Sequence, residues 1–130
     1  MGAGWRETSM RYLLLLVGEP DMDDPVPGSP EFMQMLSDYQ AATQAMATAG
    51  VLVDSGPLQP PTAATTIRVR DGDTLVTDGP FAEIKEQIGG YYVLDCADAA
   101  EATRWAATIP AAKFGAIEIR PVMVMPGGAS

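Results

Sequence analysis

The sequence predicts an α+β domain: an antiparallel sheet carrying two helices on one face. Apolar runs of strand length recur along the chain, two segments between them have apolar residues at helical spacing behind capping signals, and Asp71-Gly72 joins two alternating runs as a tight hairpin turn. The order is strand, helix, strand, hairpin, strand, helix, strand. Without the inserted hairpin this is βαββαβ, the ferredoxin-like split βαβ pattern. Such a sheet leaves one face without helices. The strands are apolar enough on both sides that this face is expected to meet a second copy, giving a homodimer in a dimeric α/β barrel-like assembly.

The first strand is Arg11 to Val17, RYLLLLV, a continuous apolar run bounded by Gly18. Residues 18–30 are rich in proline and acid and form a loop. The first helix follows, with Ser29 as N-cap, Pro30 at the first helical position and Glu31 on the positive end of the dipole. Phe32, Leu36, Tyr39, Thr43, Met46 and Ala47 make its apolar stripe, and Gly50 stops it in a left-handed cap. Val51 to Val53 is the second strand, ending in the turn-rich stretch 55–61.

In the hairpin, Thr65 to Arg70 is answered by Asp73 to Thr77. Arg70 is expected opposite Asp73 and Arg68 opposite Leu75, with Ile67, Val69, Thr74 and Val76 sharing the other face. Gly90 to Cys96 is the next strand. The second helix opens on a capping box, Asp98 with Glu101, buries Ala102, Trp105, Ala106 and Ile109, and ends at Pro110. Ala116 to Arg120 alternates as the last strand, with Pro121 interrupting before Val122. Residues 1–9 read as a loose extension, 10–125 as one domain and 126–130 as a flexible tail.

Composition limits the chemistry. The 130 residues suit one domain burying about two-thirds of its unfolded surface. There is no histidine, and Cys96 is the single cysteine. The chain alone therefore builds no Ser-His-Asp or Cys-His relay, no Cys/His zinc site and no intrachain disulfide. No cofactor is called for by any motif, and glycine-rich phosphate loops are absent, since Gly89-Gly90 leads into a strand. Acids outnumber bases 17 to 8, a net charge of −9, and the bases are scattered. Nucleic acid and anionic membranes are thus unfavourable partners. No signal peptide or spanning segment is visible, and a cytoplasmic location is expected.

The densest group of chemically special residues is 78–86, DGPFAEIKE. Gly79 permits an unusual backbone, Pro80 rigidifies it, and Phe81 needs burial. Asp78, Glu83 and Lys85 supply carboxylates and an amine suited to acid/base work and electrostatic clamping. The same pattern also suits an Asx-type turn followed by a solvated charge run.

Asp78-Gly79-Pro80-Phe81, Glu83, Lys85-Glu86, Gly89-Gly90-Tyr91 with Val93, Ala102-Trp105-Ala106 before Pro110, and Glu118 to Val122 occur in an order that resembles the DGPF branch of the YCII-related family. The opening Met10 to Leu13 and the stretch from Gly50 through Pro57-Leu58 fit as well, so the likeness spans about residues 10 to 124. The resemblance implies a ferredoxin-like fold, usually dimeric, with a cleft near the DGPF loop. Some members are encoded beside, or fused to, extracytoplasmic-function sigma factors, which implies a sigma-factor-related partner. A distant branch resembles dehydrochlorinases of chlorinated hydroxyquinols that use a His-Asp pair. Asp78 matches the acid of that pair, but no histidine exists to complete it, and Ile84 stands where the family commonly has Thr or Ser.

Other candidates have plainer readings beside the functional ones. Glu19, Asp21, Asp23 and Asp24 lack the spacing of a calcium loop and read as a solvated acidic segment. Cys96 lies on the Tyr92/Leu94 face, flanked by Asp95 and Asp98, and reads as a buried structural cysteine. Tyr39 and Tyr91 line a cleft or pack with their hydroxyls at its rim. Met33, Met35 and Met46 fill core or interface. Arg120 either fixes an anionic ligand or pairs with a strand neighbour.

Three functions fit these residues. One is a small-molecule or protein binding and regulatory module, with Gly79, Pro80, Phe81, Tyr39 and Arg120 as its ligand contacts. Another is an enzyme on a small organic acid or aromatic, with Asp78 or Glu83 as general acid/base and Lys85 or Arg120 holding an anion. The last is a purely structural dimer. Fold alone does not choose among them.

Overall fold

The computed structural model describes residues 9–18, 26–80 and 87–124. Strand β1 (Met10–Gly18) is followed by helix α1 (Pro30–Thr48), β2 (Leu52–Pro57), a single 3-10 turn, the hairpin β3 (Thr65–Arg70) and β4 (Asp73–Asp78), then β5 (Gln87–Cys96), α2 (Ala99–Ala106), a one-turn helix α3 (Ala111–Phe114) and β6 (Ala116–Pro121). The main sheet has the order β2-β5-β1-β6, antiparallel throughout, and β3-β4 form a separate two-stranded ribbon. This is the α+β, ferredoxin-like architecture the sequence predicts.

The helix ends follow from side-chain chemistry. Ser29 Oγ accepts from the Phe32 N–H at 3.1 Å, behind Pro30. At the other end Gly50 has φ +78°, the Gly50 N–H donates to Ala47 O and the Val51 N–H to Met46 O, both at 3.1 Å. These two bonds are a Schellman closure. Asp98 caps α2 through the Glu101 N–H at 2.9 Å, while Glu101 Oε1 reaches back to the Ala97 N–H at 2.7 Å.

Both helices press on the same face of the sheet. Tyr12, Leu14, Tyr92, Leu94 and Cys96 from β1 and β5 meet Ala42 and Met46 of α1 and Ala102, Ala106 and Ile109 of the α2 segment in one buried cluster. Full burial of side chains such as Leu14, Leu94 and Ile109 is worth about 1.5–3 kcal/mol each. Cys96 is wholly buried there, as its position predicts. On the opposite face Leu13 lies between Val93 and Arg120, and Leu15 between Tyr91 and Glu118.

The hairpin has the predicted register, Arg70 opposite Asp73 and Arg68 opposite Leu75, around Asp71 and Gly72 with φ +51° and +80°. Three boundaries differ from expectation by more than one residue. β2 continues through Ser55-Gly56-Pro57; as an edge strand it pairs on one side only, which tolerates proline. β5 starts three residues before Gly90, at Gln87. Pro110 does not terminate α2, which closes at Ala107; it is buried and starts α3. No helix among the described residues is long and apolar enough to cross a membrane.

Candidate functional site

Helix α1 touches the sheet unevenly. Its C-terminal half buries Ala42 and Met46, whereas Phe32 and Met35 are half-buried and Leu36 is 38% exposed. The predicted stripe therefore holds at Met46, but Leu36 and Ala47 turn outward and flank an opening. The result is a cleft of about 1290 Å³ between α1 and the sheet, walled by α1 on one side and by Leu16, Tyr92 and the Ser55-Gly56-Pro57 end of β2 on the other. Its volume is enough for a small organic ligand.

The extension of β2 builds the far wall. Gly90 lets the two strands close up there: a Cβ on it would stand 3.1 Å from the Gly56 carbonyl oxygen. The Leu58 N–H donates to Gly89 O at 2.9 Å and ties the strand exit to β5.

Among the described residues the polar groups of the cleft are uncharged. Thr43 Oγ1 donates to the Tyr39 carbonyl oxygen at 2.8 Å and lies 2.8 Å from the Tyr92 hydroxyl. Among the described residues the remaining polar lining comes from Ser37, Gln40, Gln44 and Ser55, with no Asp, Glu, Lys or Arg. Among the described residues no charged side chain is buried anywhere.

The sequence-predicted residues divide among three places. Tyr39 lines the cleft. Asp78 ends β4 opposite Thr65 and is exposed. Gly79 next to it has φ +100°, its N–H donates to Ala64 O at 2.7 Å, and its carbonyl accepts from Thr66 Oγ1 at 2.8 Å, so the glycine turn is pinned to β3; exposed Pro80 follows. Arg120 lies on the helix-free face of the sheet, where its Nη1 is 3.3 Å from Glu118 Oε2 in an exposed ion pair. Phe81, Glu83 and Lys85 lie outside the described residues, as does the acidic group Glu19, Asp21, Asp23 and Asp24.

Tyr91 sits on the helix-free face too, its hydroxyl donating to Asp54 Oδ2 at 3.1 Å. The hydrogen bond to Asp54, and then the carboxylate's charge, hold the phenol's pKa above the ordinary tyrosine value. Thr43, Tyr92 and the β2 wall are the cleft residues that sequence reasoning missed. Thr43 was legible as a polar residue on an otherwise apolar stripe; the β2 wall was hidden by its turn-forming composition.

The YCII-related domain family matches residues 10–126 of the chain. An uncharacterized protein of Rhizobium meliloti (strain 1021) is 39% identical over 97 residues, covering 73% of this chain and 78% of that one.

Proposed function

This chain belongs to the YCII-related family, and from that premise we propose that it is a binding module of the DGPF branch whose cleft beneath the N-terminal half of α1 takes a small organic molecule. The observation that carries this reading is the cleft itself: an opening of about 1290 Å³ with apolar walls and a short internal hydrogen-bond chain. Acid/base catalysis without histidine or metal asks for a desolvated carboxylate. Asp78 is exposed, which favours binding over an enzymatic role for it. The Gly79-Pro80 turn and Arg120 serve the same module as recognition elements outside the cleft, with a sigma-factor-related protein as the regulatory partner.

The test is native mass spectrometry of freshly purified protein, followed by denaturing extraction. The expected result is an organic molecule bound to the wild type and lost in Leu36→Trp, which fills the opening from an exposed position. Wild-type protein that stays empty after incubation with a metabolite extract would overturn the reading.

The same module acts as a homodimer joined through the helix-free face. Half-buried Leu13, Leu15 and Val93 form an apolar stripe there, edged by charges of both signs, Arg11 and Arg120 beside Asp95 and Glu118. A two-fold axis sets such a surface against itself. Sedimentation at micromolar concentration should give a dimer mass, and Leu15→Glu a monomer; a wild-type monomer would sink the assembly.

A further inference from the structure

We infer that β4 is a strand-pairing edge for a second copy of this chain, the two β4 strands meeting antiparallel about a two-fold axis at Val76. This contact is separate from the helix-free face and from the cleft.

Backbone register shows which edges are open. The Leu58 N–H donates to Gly89 O and the Val122 N–H to Arg11 O. In an antiparallel ladder bonded and non-bonded pairs alternate, so Pro57 and Pro121 are residues whose backbone nitrogens point away from the sheet. Each outer strand of the main sheet thus carries a proline where an added strand would need a donor, a guard against unwanted pairing. The ribbon is built differently. The Gly79 N–H donates to Ala64 O, which makes Thr74, Val76 and Asp78 the residues whose N–H and C=O point outward from β4. Every residue of β4 is exposed, and Thr74-Leu75-Val76-Thr77 holds no proline, glycine or charge. Ile67, Val69 and Val76, on one face of the ribbon, are each more than half exposed. Such a ribbon gains stability from further strands that extend its apolar face.

Charge selects the occupant and the register. With Val76 facing Val76 of the second copy, Thr74 stands opposite Asp78 and Leu75 opposite Thr77. The carboxylate at the end of β4 then meets a hydroxyl donor, and no like charges are directly opposed. Setting Leu75 on the axis instead would put Asp78 opposite Gly72, between the second copy's Asp71 and Asp73. A two-fold axis normal to the sheet keeps Ile67, Val69 and Val76 of both copies on one side, so the junction makes one continuous apolar face and closes on itself. It is far smaller than a stable interface of about 800 Å² per partner. Self-pairing therefore sets in at protein concentrations above those that hold the face dimer.

Single cysteines read the junction, in a Leu15→Glu background that removes the helix-free contact. Cys96 is wholly buried and stays silent. Facing Cα atoms in a hydrogen-bonded antiparallel pair are about 5.5 Å apart, within the span of a disulfide. Val76→Cys is expected to form a covalent dimer on mild oxidation. Val69→Cys, similarly exposed on the same face but on β3, is not. In amide exchange of the full-length wild type, Thr74 and Val76 should gain protection as protein concentration rises. Val76→Lys opposes two ammonium groups on the axis and should lose that gain. Mixing Val76→Lys with Val76→Glu should restore it, a recovery that a damaged fold does not give.

Equal cross-linking at positions 76 and 69, or Thr74 and Val76 exchange that ignores protein concentration, would overturn self-pairing. Protection that arises only on adding an extended Thr/Val peptide with lysine at both ends would assign the acid-flanked edge to a different protein and overturn it as well. The face dimer is judged separately, by the masses of wild type and Leu15→Glu at micromolar concentration.

Discussion

Tyr91 on β5 donates its hydroxyl to Asp54 Oδ2 on the edge strand β2, 3.1 Å away and diagonally across the ladder in which Asp54 faces Val93. The pair favours neutral tyrosine, so Tyr91 should ionise at a higher pH than it does in the unfolded chain. Its folded pKa lies above that of the unfolded chain. The stabilisation is therefore complete below about pH 10 and is lost as pH rises through the higher folded value. Spectrophotometric titration, with Tyr91→Phe used to identify the Tyr91 step among the four tyrosines, should show that step moving to lower pH in Asp54→Ala. An unmoved step would mean that the carboxylate does not act on the phenol.

The uneven seating of α1 makes a paired prediction. Met46 is fully buried, whereas Leu36 is 38% exposed over the cleft. Met46→Ala should cost about 2–5 kcal/mol by opening a core cavity, and Leu36→Ala less than about 1 kcal/mol. Chemical denaturation reads both. Equal losses would mean that the helix packs along its whole length and that the cleft is closed in solution.

Gly115 is required for space. A Cβ there would run into the carbonyl oxygen of Val17, where the turn into β6 crosses the end of β1. Gly115→Ala should destabilise by about 1–3 kcal/mol through backbone displacement. A midpoint equal to that of wild type would show that the two segments do not approach so closely.

Capping is predicted to matter at both long helices. Ser29→Ala removes the acceptor for the Phe32 N–H, and Asp98→Ala removes the one for the Glu101 N–H. Each should cost about 1 kcal/mol. Replacement by glycine should cost only a few tenths, and this ordering distinguishes a cap from a general surface effect.

Much of this was legible because local rules and tertiary structure agree. Asp71-Gly72 sets the hairpin register, Ser29-Pro30 and Gly50 bound α1, and Asp98 with Glu101 opens α2; each acts through its own backbone neighbours. The failures occur where neighbours in space decide. Gly56-Pro57 has turn composition but lies on a sheet edge, where pairing with Tyr91 and Gly90 on one side suffices to make it strand. Pro110 looks like a stop, yet buried packing carries the chain on into α3. The candidate site divided the same way. Tyr39 reads from the helix pattern as lining a cleft or packing at its rim, and the pairing of Thr43 with Tyr92 from 49 residues away is one that no local spacing reveals. Arg120 reads as an anion holder or as the partner of a strand neighbour, and on the helix-free face it pairs with Glu118 of its own strand.

The β3–β4 ribbon shares no ladder with the main sheet among the described residues, and Ile67, Val69 and Val76 on one of its faces are each more than half exposed. A lone two-stranded ribbon is marginal in water. The molecule therefore has two melting units of unequal strength. In amide exchange the ribbon should trade its protons at free energies well below those of β1 and β5, opening while the four-stranded layer stays shut. Whatever docks on that ribbon would slow its exchange selectively, so protection of Ile67, Val69 and Val76 amides reports occupancy of this arm without any signal from the core.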